Sequence, residues 1–132
     1  MTKTQRVAGI AGIAGMAVLL SGSIAFGLGQ IKRTVLQQTD LSIAGREVVT
    51  AKAEFPAGGA AGLHTHPGDE ISYVAEGAVE IIVDGVSRTY KAGEAFHVDA
   101  GKVHDARAVG GPAVVIANYV IEKGKPATTP VK

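Results

Sequence analysis

Four side chains in this sequence have the types and spacing to hold a metal ion. His64 and His66 are separated by one residue, Glu70 follows within the same short segment, and His104 lies well downstream. A His-x-His pair with a later Glu and a distant His is a ligand set for a divalent cation. Imidazole suits Zn, Cu, Fe and Ni, and the carboxylate pulls toward Fe, Mn or Ni. The chain contains 4 histidines, and three of them fall into this set. Cysteine is absent, which excludes thiolate sites, disulfides and cysteine nucleophiles. Histidines two apart share a face only on an extended segment; on a helix they would diverge by about 200°. The site therefore calls for strands.

The rest of the sequence supplies them. Gln30 to Ser42 is polar with scattered apolar residues and reads as a leading strand with a linker. Arg46 to Phe55 alternates β-branched and charged residues, as a strand with one wet face does. The Gly/Ala loop from Pro56 to Gly62 ends it. Further strands are expected over Ile71–Ala75, Ala78–Val83, Val86–Tyr90, Ala95–Val98, Val103–Val109 and Ala113–Ile121. Asp84-Gly85 between Val83 and Val86 is the strongest short hairpin signal. Glu122 to Lys132 carries two prolines and reads as a flexible tail over 123–132. Short strands at regular spacing, parted by Gly, Pro and Asp, predict an all-β fold, an antiparallel barrel or sandwich. The jelly roll is the natural fit.

The amino terminus suggests a destination. Lys3 and Arg6 precede an uncharged run from Val7 to Gly29 rich in Ala, Gly, Ile and Leu. This pattern reads as a signal peptide over 1–25, cut after Ala25 in Ser23-Ile24-Ala25, and places the protein in the periplasm or outside the cell. The run over residues 7–29 is also long enough to stay as a membrane anchor, although six of its residues are glycine. Leu20-Ser21-Gly22 is followed by Ser23 and not by cysteine, so lipid attachment there is excluded. Without residues 1–25 the chain has 11 basic and 12 acidic side chains, close to neutral. Its lysines and arginines are dispersed, which argues against a nucleic-acid or phosphate groove.

At the level of motifs the chain resembles the single-domain cupins, and within them the small quercetin-dioxygenase-like type. Gly58, His64, His66, Glu70 and Gly77 match the first cupin motif at every spacing. Gly93, Gly101 and His104 match the second, with Asp99 in place of the usual proline and Ala108 in place of the usual asparagine. Neither departure falls on a ligand. The resemblance implies a jelly-roll barrel over 46–122 after a linker and leading strand over 26–45. It implies that His64, His66, Glu70 and His104 bind one divalent metal ion, among Fe, Mn, Ni, Cu and Zn. It also implies a small-molecule substrate or ligand, and often a homodimer.

Four protein ligands on an octahedral ion leave two positions open, which suits catalysis better than a purely structural role. The expected function is thus an exported, metal-dependent, oxygenase-like enzyme for a small organic molecule. The alternative is a non-catalytic module that binds a sugar or organic acid. Of the remaining candidates, His97 reads as a surface or rim histidine. Phe55, Tyr73, Phe96 and Tyr119 read as core that could line a pocket, and Glu80 and Asp105 as solvated charges.

Overall fold

The computed structural model describes residues 31–132. The signal peptide expected over 1–25, or anchor over 7–29, falls outside the described residues. Among the described residues ten strands follow one another: β1 Lys32–Asp40, β2 Arg46–Phe55, β3 His64–Thr65, β4 Gly68–Glu76 and β5 Ala78–Val83, then β6 Val86–Lys91, β7 Ala95–Val98, β8 His104–Ala108, β9 Ala113–Glu122 and β10 Thr129–Pro130. They form two five-stranded sheets, ordered β1-β2-β9-β4-β7 and β10-β3-β8-β5-β6. All pairings are antiparallel. From β2 onward the chain passes repeatedly from one sheet to the other, and the result is the all-β jelly roll. Among the described residues no helix is long and apolar enough to cross a membrane.

Period-two patterning drives the closure. Along β2 and β9 every second residue is buried. Val49, Ala51, Ala53 and Phe55 face inward from β2, and Ala113, Val115, Ala117, Tyr119 and Ile121 from β9. Val74, Val79, Ile81, Phe96 and Val98 complete the core from other strands. Burying one face of each sheet against the other fixes the register, because a slip of one residue would turn the apolar set outward.

Two positions demand glycine for different reasons. Asp84 and Gly85 both have positive φ, 50° and 77°, which is the geometry of a tight turn joining twisted strands. Val83 and Val86 accordingly pair across the β5–β6 hairpin. Gly68 has no such φ. A Cβ there would lie 1.9 Å from the Val120 carbonyl oxygen and 2.7 Å from the Ile121 Cα. Gly68 thus lets β4 approach β9 just ahead of Glu70.

The segment after β9 behaves differently from the flexible tail expected for 123–132. Thr129 and Pro130 pair with Thr65 and His64 of β3. The Val131 N–H donates to the Leu63 carbonyl at 2.9 Å. Thr128 is buried.

The two glycines should respond unequally to alanine. Gly68→Ala forces backbone apart, and is expected to cost about 2–3 kcal/mol, or roughly 10–20 °C in Tm. Gly85→Ala meets open space and should cost only about 1 kcal/mol from its backbone conformation. Equal losses in thermal unfolding would refute this account of Gly68.

Candidate metal centre

The barrel brings the four expected ligands to one point. His64 opens β3 and His104 opens β8, and the two are direct cross-strand partners. Their ring centroids are 4.1 Å apart. His66 sits in the short link between β3 and β4, with its ring centroid 4.9 Å from each of the other two. Glu70 points inward from β4, in the opposite sheet. All four are buried, and one potential ligand atom from each lies within 4.8 Å of the others. Residues from both sheets thus face each other across the barrel.

The backbone decides how the rings are presented. His64 Nδ1 is 2.6 Å from the Gly62 carbonyl oxygen. His66 Nδ1 is 2.7 Å from that of Ala127, and His104 Nδ1 is 2.9 Å from that of Lys102. A carbonyl oxygen only accepts, so each Nδ1 carries the hydrogen and donates it. In a neutral ring the lone pair is then on Nε2. The Nε2 atoms of His66 and His104 lie 3.0 and 3.1 Å from Glu70 Oε2. A lone pair facing a carboxylate oxygen at that distance is repulsive. The arrangement becomes favourable only with a proton or a cation between them. Glu70 Oε1 accepts a hydrogen bond from the Ser72 hydroxyl at 2.7 Å, which leaves Oε2 directed at the histidines.

Charge and burial act against each other in this cluster. Burial alone would raise the Glu70 pKa, but hydrogen bonds and charge from His104 and His66 hold it well below the usual carboxylate range. Burial, reinforced by the charge of His104, lowers the His64 pKa to about 4. Burial also pulls His104 down, yet the hydrogen bond and charge of Glu70 outweigh it and raise its pKa overall. Without a metal the cluster therefore takes up its extra proton at His104 and keeps His64 neutral. Burial, with help from Glu70, pushes the Tyr119 phenol above its ordinary value, so it stays protonated at neutral pH.

A cavity of about 20 Å³ adjoins His64, Glu70 and His104, with Arg33, Phe55 and Tyr119 among its other walls. That is room for about one water molecule. Phe96 also lines it, whereas Tyr73 is half exposed on the outer surface. The barrel does not enclose His97. Its ring is exposed and lies 2.8 Å from Asp69 Oδ1. Asp105 is a correction to the sequence reading. It is buried, not solvated, and accepts from the Gly62 and Ala106 N–H groups, both at 2.8 Å, and from Arg107 Nε at 3.1 Å. It thereby fixes the loop whose Gly62 carbonyl holds His64. Glu80 is half-buried and accepts from the Ser87 hydroxyl.

The two departures from the second motif are accommodated locally. The turn at Asp99 closes through Lys102 N–H to the Asp99 carbonyl at 3.2 Å, and Gly101 N–H donates to the His66 carbonyl at 3.0 Å. Ala108 is buried, and its N–H reaches the Gly59 carbonyl at 2.9 Å.

Three features escaped the sequence reading. Arg33 is buried in the cavity wall. Its signal was parity, because it falls between Ile31 and Val35 on the inward face of an alternating strand. The Ala127 carbonyl and Thr128, whose hydroxyl lies 3.3 Å from His66 Nδ1, had no comparable signal.

Fold and site together define a small double-sheet β-barrel protein with a three-histidine, one-glutamate centre. The family profile for the Cupin domain matches residues 51–121, more than half of the chain. The chain belongs to the cupin family, as a single-domain small cupin. No curated protein matches it. Among solved structures it is similar to a cupin-like protein from Thermotoga maritima, at 17% identity and a TM-score of 0.65, with 81% of each chain covered. It is similar to KdgF from a Halomonas species, at 25% identity and a TM-score of 0.60, with 71% of this chain and 81% of that one covered. It is also similar to the polyketide cyclase RemF from Streptomyces resistomycificus, at 22% identity and a TM-score of 0.62, with 80% and 74% covered.

These shifts set a pH dependence for the metal-free protein. His64 is harder to protonate folded than unfolded, so its stabilising effect is complete above pH 6.5 and is lost as pH falls toward about 4. The loss from this group is about 3 kcal/mol. Glu70 adds a further loss below pH 4.5, its ordinary value. His104 has the opposite sign: its contribution is full below pH 6.5 and disappears as pH rises through its raised folded value. Denaturant unfolding of EDTA-treated protein should therefore show greatest stability near pH 6.5. A profile that rises steadily toward pH 4 would contradict this electrostatic reading.

Proposed function

We propose that this cupin is a metal-dependent enzyme with oxygenase-like chemistry on a small organic molecule, and that it works outside the cytoplasm. The observation that carries the metal assignment is the triple use of Nδ1 on backbone carbonyls. It leaves three Nε2 atoms and Glu70 Oε2 as a convergent donor set. Three imidazoles and one carboxylate are borderline-to-hard ligands, matched to Fe, Mn, Ni, Cu or Zn. Bound there, the ion would supply Lewis acidity and, if redox-active, a place for dioxygen beside the substrate.

The chain's own groups would do the rest. Ser72 orients Glu70. Tyr119 keeps its proton and can donate a hydrogen bond into the cavity. Phe55 and Phe96 exclude water, which strengthens every polar contact inside. Export is supported by Lys3, Arg6 and the apolar run over 7–29. Intact mass of protein recovered from the periplasm should correspond to a chain starting at Phe26. A chain retaining residues 1–25 in the membrane fraction would support the anchor instead.

The metal assignment has a direct test. Purified protein should carry about one metal ion per chain, and His66→Ala or Glu70→Ala should reduce this to near zero. Ser72→Ala should weaken metal affinity roughly 10–100-fold, because it releases the far oxygen of a ligand. His97→Ala should match the parent. Oxygen uptake with enolic and diketone compounds, lost in the ligand variants, would establish the enzyme. Stabilisation by ligand without turnover would establish the binding module instead.

A further inference from the structure

We infer that the cavity between the end of β1 and the segment 125–127 is a second ligand site, suited to a small apolar amine, and that its occupant braces the segment that holds His66. The site stands without the metal assignment above; its link to the centre rests on that assignment.

Placement comes first. This cavity has a volume of about 260 Å³ and is lined by none of the four expected metal ligands. Val35, Val49 and Ile121 give it an apolar lining, and Pro126 and Ala127 bound it from the segment after β9. Gln38, Lys125 and Pro126 are exposed and open it to solvent. Two side chains from strands bring polarity to it. Glu47 continues the inward series of β2, pairs with Ile121 of β9, and is only 6% exposed. Gln38 arrives through a β-bulge between Val35 and Gln37, which shifts the parity of β1 and sets Gln38 opposite Val49. Its amide Nε2 donates to Glu47 Oε2 at 2.9 Å.

Charge selects the ligand. A buried carboxylate is costly unless both a donor and a countercharge meet it. Gln38 supplies the donor and no charge. The lysines of the adjoining segment are engaged elsewhere, Lys125 with Glu122 and Lys123 with Asp40, and Glu47 is only a lesser influence on Lys123. An ammonium group entering beside Glu47 supplies the cation, and an apolar body behind it covers Val35, Val49 and Ile121. An anionic ligand would meet Glu47 with like charge. Size agrees with this. A benzene-sized ligand fits a dry cavity of about 150 Å³, so about 260 Å³ takes an aromatic ring with a short aminoalkyl arm.

The same wall reaches the metal centre. The Ala127 carbonyl accepts from His66 Nδ1 at 2.7 Å. A ligand packed against Pro126 and Ala127 favours the conformation in which that ring is oriented. Amine and metal then bind with a shared coupling energy, each tightening the other.

Calorimetric titration of metal-free, full-length protein with 2-phenylethylamine tests the site. One amine should bind per chain. Its neutral counterpart, 2-phenylethanol, should bind roughly 10–100-fold more weakly, as loss of a charge-assisted contact does. Glu47→Gln should weaken the amine by a similar factor. If that variant does not fold, Val35→Phe, which fills the cavity and keeps the carboxylate, should abolish amine binding. A saturating amine concentration should tighten Zn(II) binding about 5-fold or more in the parent. The same concentration should leave Zn(II) affinity unchanged in Glu47→Gln, which separates this effect from direct ligation of the ion by the amine. Absence of amine binding, equal binding of amine and alcohol, or parental affinity in Glu47→Gln or Val35→Phe overturns the site. Amine binding with unchanged Zn(II) affinity in the parent overturns the link to His66. A parent protein that takes up no Zn(II) sinks the metal assignment and the link, while the amine titration still decides the site.

Discussion

Three hydrogen bonds from imidazole Nδ1–H to backbone carbonyls are the constraint on which the rest of this centre depends. A free imidazole has two tautomers and a ring that can flip. Each carbonyl removes both freedoms and turns Nε2 inward. The carbonyls come from three different places: the loop before β3, the turn before β8 and the segment before β10. The barrel's register is therefore translated directly into the chemistry of the site. Glu70 is held in the same manner by Ser72, two residues along the same strand and on the same face.

The cavity walls show how a barrel this small tolerates buried charge. Glu70, Arg33 and the histidines are taken out of water, which is expensive for each alone. They survive because they are neighbours of opposite sign or lie beside strong acceptors, and because small residues make space for them. The alanines at 51, 53 and 117 lie on the central strands β2 and β9, where bulkier side chains would have filled the interior. The core is correspondingly light in large side chains, with Phe55, Phe96 and Tyr119 its only buried aromatics among the described residues.

Much of this was legible in the sequence because it depended on short-range patterns. Strand β2 follows from strict alternation, and the β5–β6 hairpin from Asp84-Gly85. The facing of His64 and His66 follows from their spacing of two. The four-residue cluster was legible through motif spacing. What was not legible is long-range. Nothing around Ala127 announces that its carbonyl meets a ring 61 residues earlier, and two prolines nearby suggested a loose end. Asp105 looked solvated as a charged residue near a strand end, yet one of its partners is the Gly62 N–H of a distant loop. Arg33 was hidden by the habit of assigning charges to surfaces. Its parity with Ile31 and Val35 was the better guide.

The contact between His66 and Ala127 gives the protein an order of completion. Local folding can pair β5 with β6, and β4 with β7, independently of the segment that carries Ala127. The third imidazole is different, because its orientation waits for the Ala127 carbonyl and for β10 to dock beside β3. A nascent chain halted before that point would have two oriented rings and one idle. Completion of the donor set therefore depends on the docking of the segment from Ala127 to Pro130, and not on the two sheets alone.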